Sequence, residues 1–298
     1  EAKLTDRLSV TGSVSTGTTG IGGDALVTYE SSPDNKTYAG YKLDADRDEI
    51  STGGQRISGR DDGVIVAGSY RKLNDWLSAF AESNADFFGR KRSLTHVYGI
   101  TFKPDEVWSA SLGMELGTIL DAHNGDFDRK GFSAKAGYLT ESLSASAALE
   151  ARFEDSTDNK RDRNTYLMRA QTSWKTSENW RLSAHADALI SRSDQDTVLD
   201  GDYVEASIGY AYRPVSNDRL NVLMKYAFLY DLPGPQQVNV NDQILGPAQR
   251  SHVFSADASY DINEHLTVGA KYGFRFGDVS STRQADDFVR STAHLGII

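Results

Sequence analysis

The sequence predicts an all-β protein, a transmembrane antiparallel up-and-down β-barrel of about sixteen strands. Three observations favour this fold: side chains alternate between apolar and polar, connectors alternate in length, and tryptophans fall near short turns. In residues 108–116 every even position is apolar and every odd position is polar or glycine. A side-chain period of two indicates a β-strand with one apolar face.

The composition excludes several classes of protein. A formal net charge of −10 over 298 residues argues against a nucleic-acid partner, because such proteins present clustered excess Lys and Arg. The chain has no cysteine, which excludes disulfides, cysteine metal ligands and thiol nucleophiles. No apolar run of about 18 residues occurs, so no transmembrane helix is expected. Only alternate residues of a barrel strand face lipid, so a low mean hydropathy is compatible with the membrane.

The strands are clearest from residue 106 onward. We expect them at 106–117, 130–140, 142–153, 165–175, 179–190, 202–213, 219–230, 252–262, 265–277 and 288–298. Weaker alternation predicts six more at 7–15, 24–32, 36–46, 62–72, 75–85 and 94–103. Residues 71–88 fit two strand pieces or a short amphipathic helix, and the strand interpretation is preferred. We expect one barrel domain over 1–298, with a weaker pattern over 1–105.

A soluble β-sandwich is the main structural alternative, because its strands alternate in the same way with the apolar face turned inward. Connector length argues against it, since outer-membrane barrels have one rim of short turns and one of long loops. Short turns are predicted at 33–35, 74, 104–105, 141, 176–178, 214–218 and 263–264. Long polar loops are predicted at 47–61, 86–93, 118–129, 154–164, 191–201, 231–251 and 278–287. The abundance of Ala on the apolar face also suits lipid better than a packed core.

The four tryptophans all lie within about three residues of a predicted short turn. Indole rings favour the membrane–water interface, where the ring meets the apolar boundary and the N–H stays wet. We therefore predict an aromatic girdle at this rim, formed by Trp76, Trp108, Trp174, Trp180, Tyr138 and Tyr212. A second belt is predicted at the opposite rim, formed by Phe132, Phe153, Tyr166, Tyr230, Phe254 and Phe276.

The charged residues between the apolar positions are the candidate functional residues. In a barrel they would line the lumen and set its ion preference. The cationic members are Lys135, Arg152, Arg169, Arg181, Lys225, Lys271 and Arg275, and the anionic members are Glu115, Glu150, Asp187, Glu205 and Asp257. The sequence leaves three roles open: lining an open pore, pairing with a plug or passenger segment, or neutralising one another without transport.

Other chemical signals are weak. The glycines of 17–23 lack the buried strand, helix and Lys of a phosphate-binding loop, so we expect a flexible loop there. The histidines show no zinc-type spacing, and neither an enzyme nor a cofactor is expected. Loop 231–251 is the best candidate to fold into the lumen, and a contact patch on the surface is an equal alternative for it. Weak Ca²⁺ candidates, for which a solvated acidic loop is the preferred interpretation, are Asp194, Asp196, Asp200 and Asp202.

Residues 226–233 (YAFLYDLP) and 257–281 (DASYDINEHLTVGAKYGFRFGDVSS) resemble the C-terminal outer-membrane barrels of large multidomain bacterial surface proteins. In those proteins repeated β-sandwich domains precede the barrel, and the barrel continues past the point where this chain ends. The resemblance implies a Gram-negative membrane anchor, with a pore, of a larger cell-surface protein. It implies outer-membrane lipids, lipopolysaccharide and other surface-protein chains or domains as partners. The alternative is a free-standing general porin for passive diffusion of small hydrophilic solutes.

Overall fold

The structure, a computed structural model, describes residues 2–297 except 18–19, 44–47, 52–54, 59–62, 87–90, 122–124, 158–161, 194–201, 217, 232–246 and 283–286. In the described part of the chain, no helix combines the length and apolar character needed to cross a membrane. The strands are β1 Ala2–Lys3, β2 Leu8–Gly17, β3 Gly20–Ser32, β4 Asn35–Leu43, β5 Asp48–Ser51, β6 Gln55–Ser58, β7 Gly63–Asn74, β8 Leu77–Asp86, β9 Lys91–Phe102, β10 Trp108–Asp121, β11 Gly125–Leu139, β12 Leu143–Ser156, β13 Arg163–Lys175, β14 Trp180–Ser193, β15 Asp202–Tyr212, β16 Leu220–Tyr230, β17 Gln249–Asn263, β18 Leu266–Val279 and β19 Val289–Ile297.

The strands form an antiparallel meander. Seventeen belong to one sheet, and each pairs with the next along the chain, while β5 and β6 form a separate hairpin between β4 and β7. Because β1 contributes only two residues, the sheet has sixteen long strands, which confirms the predicted number among the described residues. The described residues include no pairing that joins β19 to β1 or β2.

The sheet has two chemically different faces. Directly opposite residues on neighbouring strands share a face, so the register of the ladder assigns each side chain. Leu112 pairs with Ala134, which pairs with Leu149, and this row defines the apolar face. Glu115 pairs with Gly131, which pairs with Arg152, and this row defines the polar face.

Burial on the two faces is the reverse of that in a soluble protein. On the apolar face Leu112, Phe132 and Leu149 are 57, 51 and 57 % exposed. The buried large apolar side chains of the described strands instead share the polar face with the charged residues: Val66, Ile119, Phe127 and Leu189. A soluble sandwich would bury its apolar face. The exposed side of this wall is therefore the one suited to hydrocarbon, as in an outer-membrane barrel.

Short polar side chains close several of the tight turns. The Asn74 side-chain oxygen accepts the backbone N–H groups of Trp76 and Leu77 at 3.0 and 2.9 Å. The Asp105 carboxylate accepts those of Val107 and Trp108 at 2.9 and 2.7 Å. Asn and Asp favour turns because their side chains bond to the backbone two residues on.

Two predicted long loops are partly wrong, because the flanking strands extend into them. The loop predicted at 118–129 is mostly strand, since β10 runs to Asp121 and β11 starts at Gly125. The loop predicted at 154–164 shrinks as well, because β12 ends at Ser156 and β13 begins at Arg163. These strand ends carry charged residues on both faces, so the alternation of apolar and polar residues stops before the strand does. A strand that extends beyond the hydrocarbon needs no apolar face.

The structure also tests the predictions made for three shorter segments. Residues 71–88 contain the end of β7 and all of β8, which confirms the strand interpretation over the helix. The flexible loop predicted at 17–23 is wrong, because Gly17 ends β2 and residues from Gly20 onward belong to β3. The connector predicted at 86–93 is four residues long, between Asp86 and Lys91. Most of loop 231–251 lies outside the described residues.

Candidate functional site

Several predicted charged residues pair with one another on the polar face. Asp187 of β14 accepts a hydrogen bond from Arg169 Nε at 3.0 Å, and its other oxygen lies 3.1 Å from His185 Nε2. Lys271 Nζ lies 3.3 Å from the Asp257 carboxylate on the neighbouring strand. Neighbouring strands therefore neutralise part of the charge that each presents to this face.

The remaining predicted residues differ in their partners. Arg152 Nε donates to the Glu150 carboxylate two positions earlier on the same strand. Arg275 Nη2 donates to the Ser251 hydroxyl at 3.1 Å. Among the described residues, no ion pair involves the following members of the predicted set: Lys135, Arg181, Glu205 and Lys225.

The strongest charge cluster on this face is one that the sequence analysis missed. Glu154 of β12 lies directly between Arg129 of β11 and Arg163 of β13. Arg129 donates from Nε and Nη2 to Glu154 Oε1 at 2.9 and 2.7 Å. Arg163 donates from Nε to Oε2 at 2.7 Å and also from Nη2. Arg129 Nη1 lies 3.6 Å from Glu115, which ties one predicted residue to this triad.

Burial makes the triad unlike the other ion pairs of this face. The Glu154 side chain is 2 % exposed, and those of Arg129 and Arg163 are 22 and 16 % exposed. A carboxylate buried this deeply is stable only because both oxygens accept charge-assisted hydrogen bonds. Removing it would leave two guanidinium groups facing each other, and breaking a buried pair typically costs about 3–5 kcal/mol.

The alternation of polar residues in β11 and β12 continues to the triad, but the predicted strands ended before reaching it. Continuing the odd-numbered polar positions of β11 backwards reaches Arg129, and continuing the even-numbered ones of β12 forwards reaches Glu154. The partners are 25 and 9 residues apart in sequence, so only the register shows that they meet. Small polar side chains complete the buried patch beside the triad: Ser156, Thr165 and Ser191.

Glycines on the polar face make room for aromatic rings. Tyr38 extends across Gly68 and donates from its hydroxyl to Glu82 Oε2 at 2.6 Å. The Phe80 ring lies over Gly99, where an added Cβ would be 2.3 Å from a ring carbon. A glycine in a strand often marks a site where another group approaches closely.

The aromatic residues of the predicted girdle lie together on the apolar face at the short-turn rim. Trp108 contacts Tyr138 with ring centroids 4.7 Å apart. Trp180 lies 4.6 Å from Tyr212 and stacks on Tyr210 at 4.5 Å. Trp174, which pairs with Leu143, is 47 % exposed, and Trp76 contacts Phe102 at 5.4 Å. Their contact with the membrane interface stays a prediction.

The described residues offer no metal centre. No group of three His, Cys, Asp or Glu side chains among them could hold an ion. Of the weak Ca²⁺ candidates, Asp194, Asp196 and Asp200 lie outside the described residues. Asp202 accepts a hydrogen bond from Arg192 Nη2 at 2.8 Å, so its carboxylate is engaged by a cation of the protein itself.

The meander, the exposed apolar face and the charged opposite face define this protein as an outer-membrane β-barrel protein. The chain belongs to the family described as "Putative MetA-pathway of phenol degradation", whose model matches residues 77–290. No curated protein matches the chain. The predicted resemblance is thus supported for the outer-membrane barrel, whereas the comparisons give no support for a multidomain surface protein.

Several solved outer-membrane proteins are similar to this chain. A bacterial polysaccharide outer membrane secretin has a TM-score of 0.46 and 11 % identity, covering 98 % of this chain and 95 % of that chain. OccK11 (OpdR) of Pseudomonas aeruginosa has a TM-score of 0.44 and 10 % identity, covering 95 % of this chain and 82 % of that chain. The toluene transporter TodX of P. putida has a TM-score of 0.24 and 14 % identity, covering 98 and 85 %.

Proposed function

We propose that this protein forms a water-filled pore that passes small solutes through the outer membrane. The observation that carries this proposal is the concentration of charge on the polar face of the wall, including the triad of Arg129, Glu154 and Arg163. A continuous ladder of charged and hydroxyl groups is costly against protein or lipid but suits a water-filled lumen.

The triad suggests where such a pore would select its solutes. It lies in the half of β11, β12 and β13 nearer the connectors 122–124 and 157–162. Charged rings near one mouth of a pore set its ion preference. The family description concerns phenol degradation, so small aromatic compounds are the substrate class that we propose to test first.

The pore is tested by planar-bilayer recording with the purified full chain. We expect discrete conductance steps in potassium chloride, because a polar lumen should stay hydrated. Liposome swelling with a small aromatic carboxylate and with a sugar of similar size then measures solute preference. Protein that resists SDS when unboiled yet gives no conductance would contradict the pore, because the wall would be closed and its lumen blocked.

The role of membrane anchor for a larger surface protein stays a prediction of the sequence resemblance. It differs from the pore in one measurable respect, since an anchor whose lumen is filled by a passenger segment should not conduct. Conductance by this chain without any further domain would favour the porin alternative.

A further inference from the structure

A second charged cluster lies on the apolar face, where β17, β18 and β19 meet the connector 280–288. Asp278 is directly opposite Arg250 on one side and Arg290 on the other. Arg250 Nε donates to Asp278 Oδ2 at 3.1 Å, and Arg290 Nε lies 3.7 Å from Oδ1. The Asp278 side chain is only 12 % exposed. Two guanidinium groups therefore share one largely buried carboxylate, and these three side chains together carry a formal charge of +1.

Aromatic rings lie beneath both guanidinium groups. The Arg250 guanidinium carbon is 4.3 Å from the centroid of the Phe288 ring, and that of Arg290 is 4.9 Å from the Phe276 centroid. His252 stacks on Phe276 at 4.6 Å, and its Nδ1 is hydrogen-bonded to the Tyr226 hydroxyl at 2.9 Å. Cation–π contacts hold a guanidinium against a ring while its edges stay open. The surface is thus cationic at the rim and aromatic on the side toward mid-strand.

The two arginines retain unused hydrogen-bond donors. Each approaches Asp278 through Nε, and within the described residues no other acceptor is bonded to their terminal Nη groups. Their side chains are 37 and 66 % exposed. The Asp287 carboxylate, next in sequence to Phe288, accepts the Ser281 N–H at 2.8 Å, and among the described residues it forms no ion pair with either arginine. Planar guanidinium groups match the geometry of phosphate oxygens.

The apolar face carries two other ion pairs at the same rim. Arg192 pairs with Asp202 on the apolar face, with Nη1 and Nη2 both donating to the carboxylate. Lys130 and Asp155 pair one to one at 3.1 Å. In each of those pairs the carboxylate meets one cation, whereas Asp278 lies between two, Arg250 and Arg290.

We propose that Arg250 and Arg290 bind the phosphate of a phosphorylated outer-leaflet lipid, such as the glucosamine phosphate of lipopolysaccharide. The terminal Nη groups donate to the phosphate, and the rings of Phe254, Phe276 and His252 contact the adjoining acyl chains. Charge complementarity selects this ligand, because the headgroup zone meets the cationic rim and the hydrocarbon meets the rings. The proposal rests on the membrane placement and is independent of the pore, so a failed conductance test would leave it standing.

The site is tested with the full chain in a non-ionic detergent and purified lipopolysaccharide as the probe. We compare the wild type, the double variant R250Q/R290Q and the matched control R192Q, after confirming on unboiled SDS gels that each is folded. The double variant should lose roughly tenfold or more in affinity, whereas the control should stay within about twofold. Dephosphorylated lipopolysaccharide should bind the wild type as weakly as intact lipopolysaccharide binds the double variant. R250K/R290K should recover only part of the affinity, because Lys keeps the charge but lacks the planar, bidentate donors of a guanidinium group.

Several results would overturn the proposal. These are unchanged affinity in the double variant, an equal loss in the control, or equal binding of dephosphorylated lipopolysaccharide by the wild type. Inorganic phosphate that binds as tightly as lipopolysaccharide would show a site for free phosphate rather than a lipid. A lipid-free oligomer that the double substitution dissociates would show instead that this surface joins two copies of the chain.

Discussion

Ala147→Arg tests directly whether the apolar face contacts hydrocarbon. Ala147 is exposed on that face of β12, between Ala136 and Ala170 on the neighbouring strands. It is four residues from Leu143, which pairs with Trp174, and six from Phe153. With a rise of about 3.3 Å per residue and a tilt of about 40°, it lies about 10 Å from one aromatic belt and about 15 Å from the other.

This depth sets the expected cost of a charge. An Arg on the lipid face of a barrel costs about 2–4 kcal/mol at the midplane and much less near the interfaces. We therefore expect Ala147→Arg to lower the free energy of unfolding by about 2–4 kcal/mol. The measurement is guanidinium-induced unfolding in phospholipid vesicles, followed by tryptophan fluorescence.

Ser146→Arg is the matched control, since it places the same side chain one residue away on the opposite face. Ser146 lies between Gly137 and Gln171 on the polar face, so its Arg would meet polar neighbours. We expect a cost below about 1 kcal/mol, as for other substitutions that bury nothing apolar. Equal penalties for the two variants would refute the assignment of the faces and with it the membrane placement.

Four further predictions concern closure, the polar face and a turn. The purified protein should migrate faster on SDS gels unboiled than boiled, because a closed barrel resists SDS; identical mobility would count against closure. Glu154→Gln should destabilise the protein by about 3–5 kcal/mol in the same unfolding assay, because it removes the negative charge between two largely buried guanidinium groups. In a salt gradient the same variant should shift the reversal potential in the direction of greater anion selectivity, because it removes a negative charge between two arginines. An unchanged reversal potential would place the triad away from the path of the ions. Gly99→Ala should lower the free energy of unfolding by about 1–3 kcal/mol, since the added methyl group collides with the Phe80 ring. In a chain that also carries Phe80→Ala this collision is absent, so Gly99→Ala should no longer have that cost. In the turn after β15, Arg213 donates hydrogen bonds to Asp218 and lowers the pKa of that carboxyl. Arg213→Ala should raise this pKa toward its ordinary value, as measured by NMR titration. An unchanged pKa would show that the pair does not persist in solution.

The candidate site was only partly predictable, and the triad shows why. Glu115 and Glu150 were recognised as polar-face charges because each stands between apolar neighbours on its strand. Arg129 and Glu154 follow the same alternation, but the positions beside them include Asp128, Lys130 and Asp155, which are not apolar. Once a strand passes beyond the hydrocarbon, both of its faces can be polar, and alternation no longer marks it.

The sequence by itself determined the sixteen long strands of the main sheet and the chemistry of their two faces. It could do so because alternation is a local property, and each residue's face follows from its parity along the strand. Only the tertiary structure decided which charges meet, where the strands end and that two arginines share Asp278. Those facts depend on the hydrogen-bond register between neighbouring strands, which joins residues that are distant in sequence and that no local pattern relates.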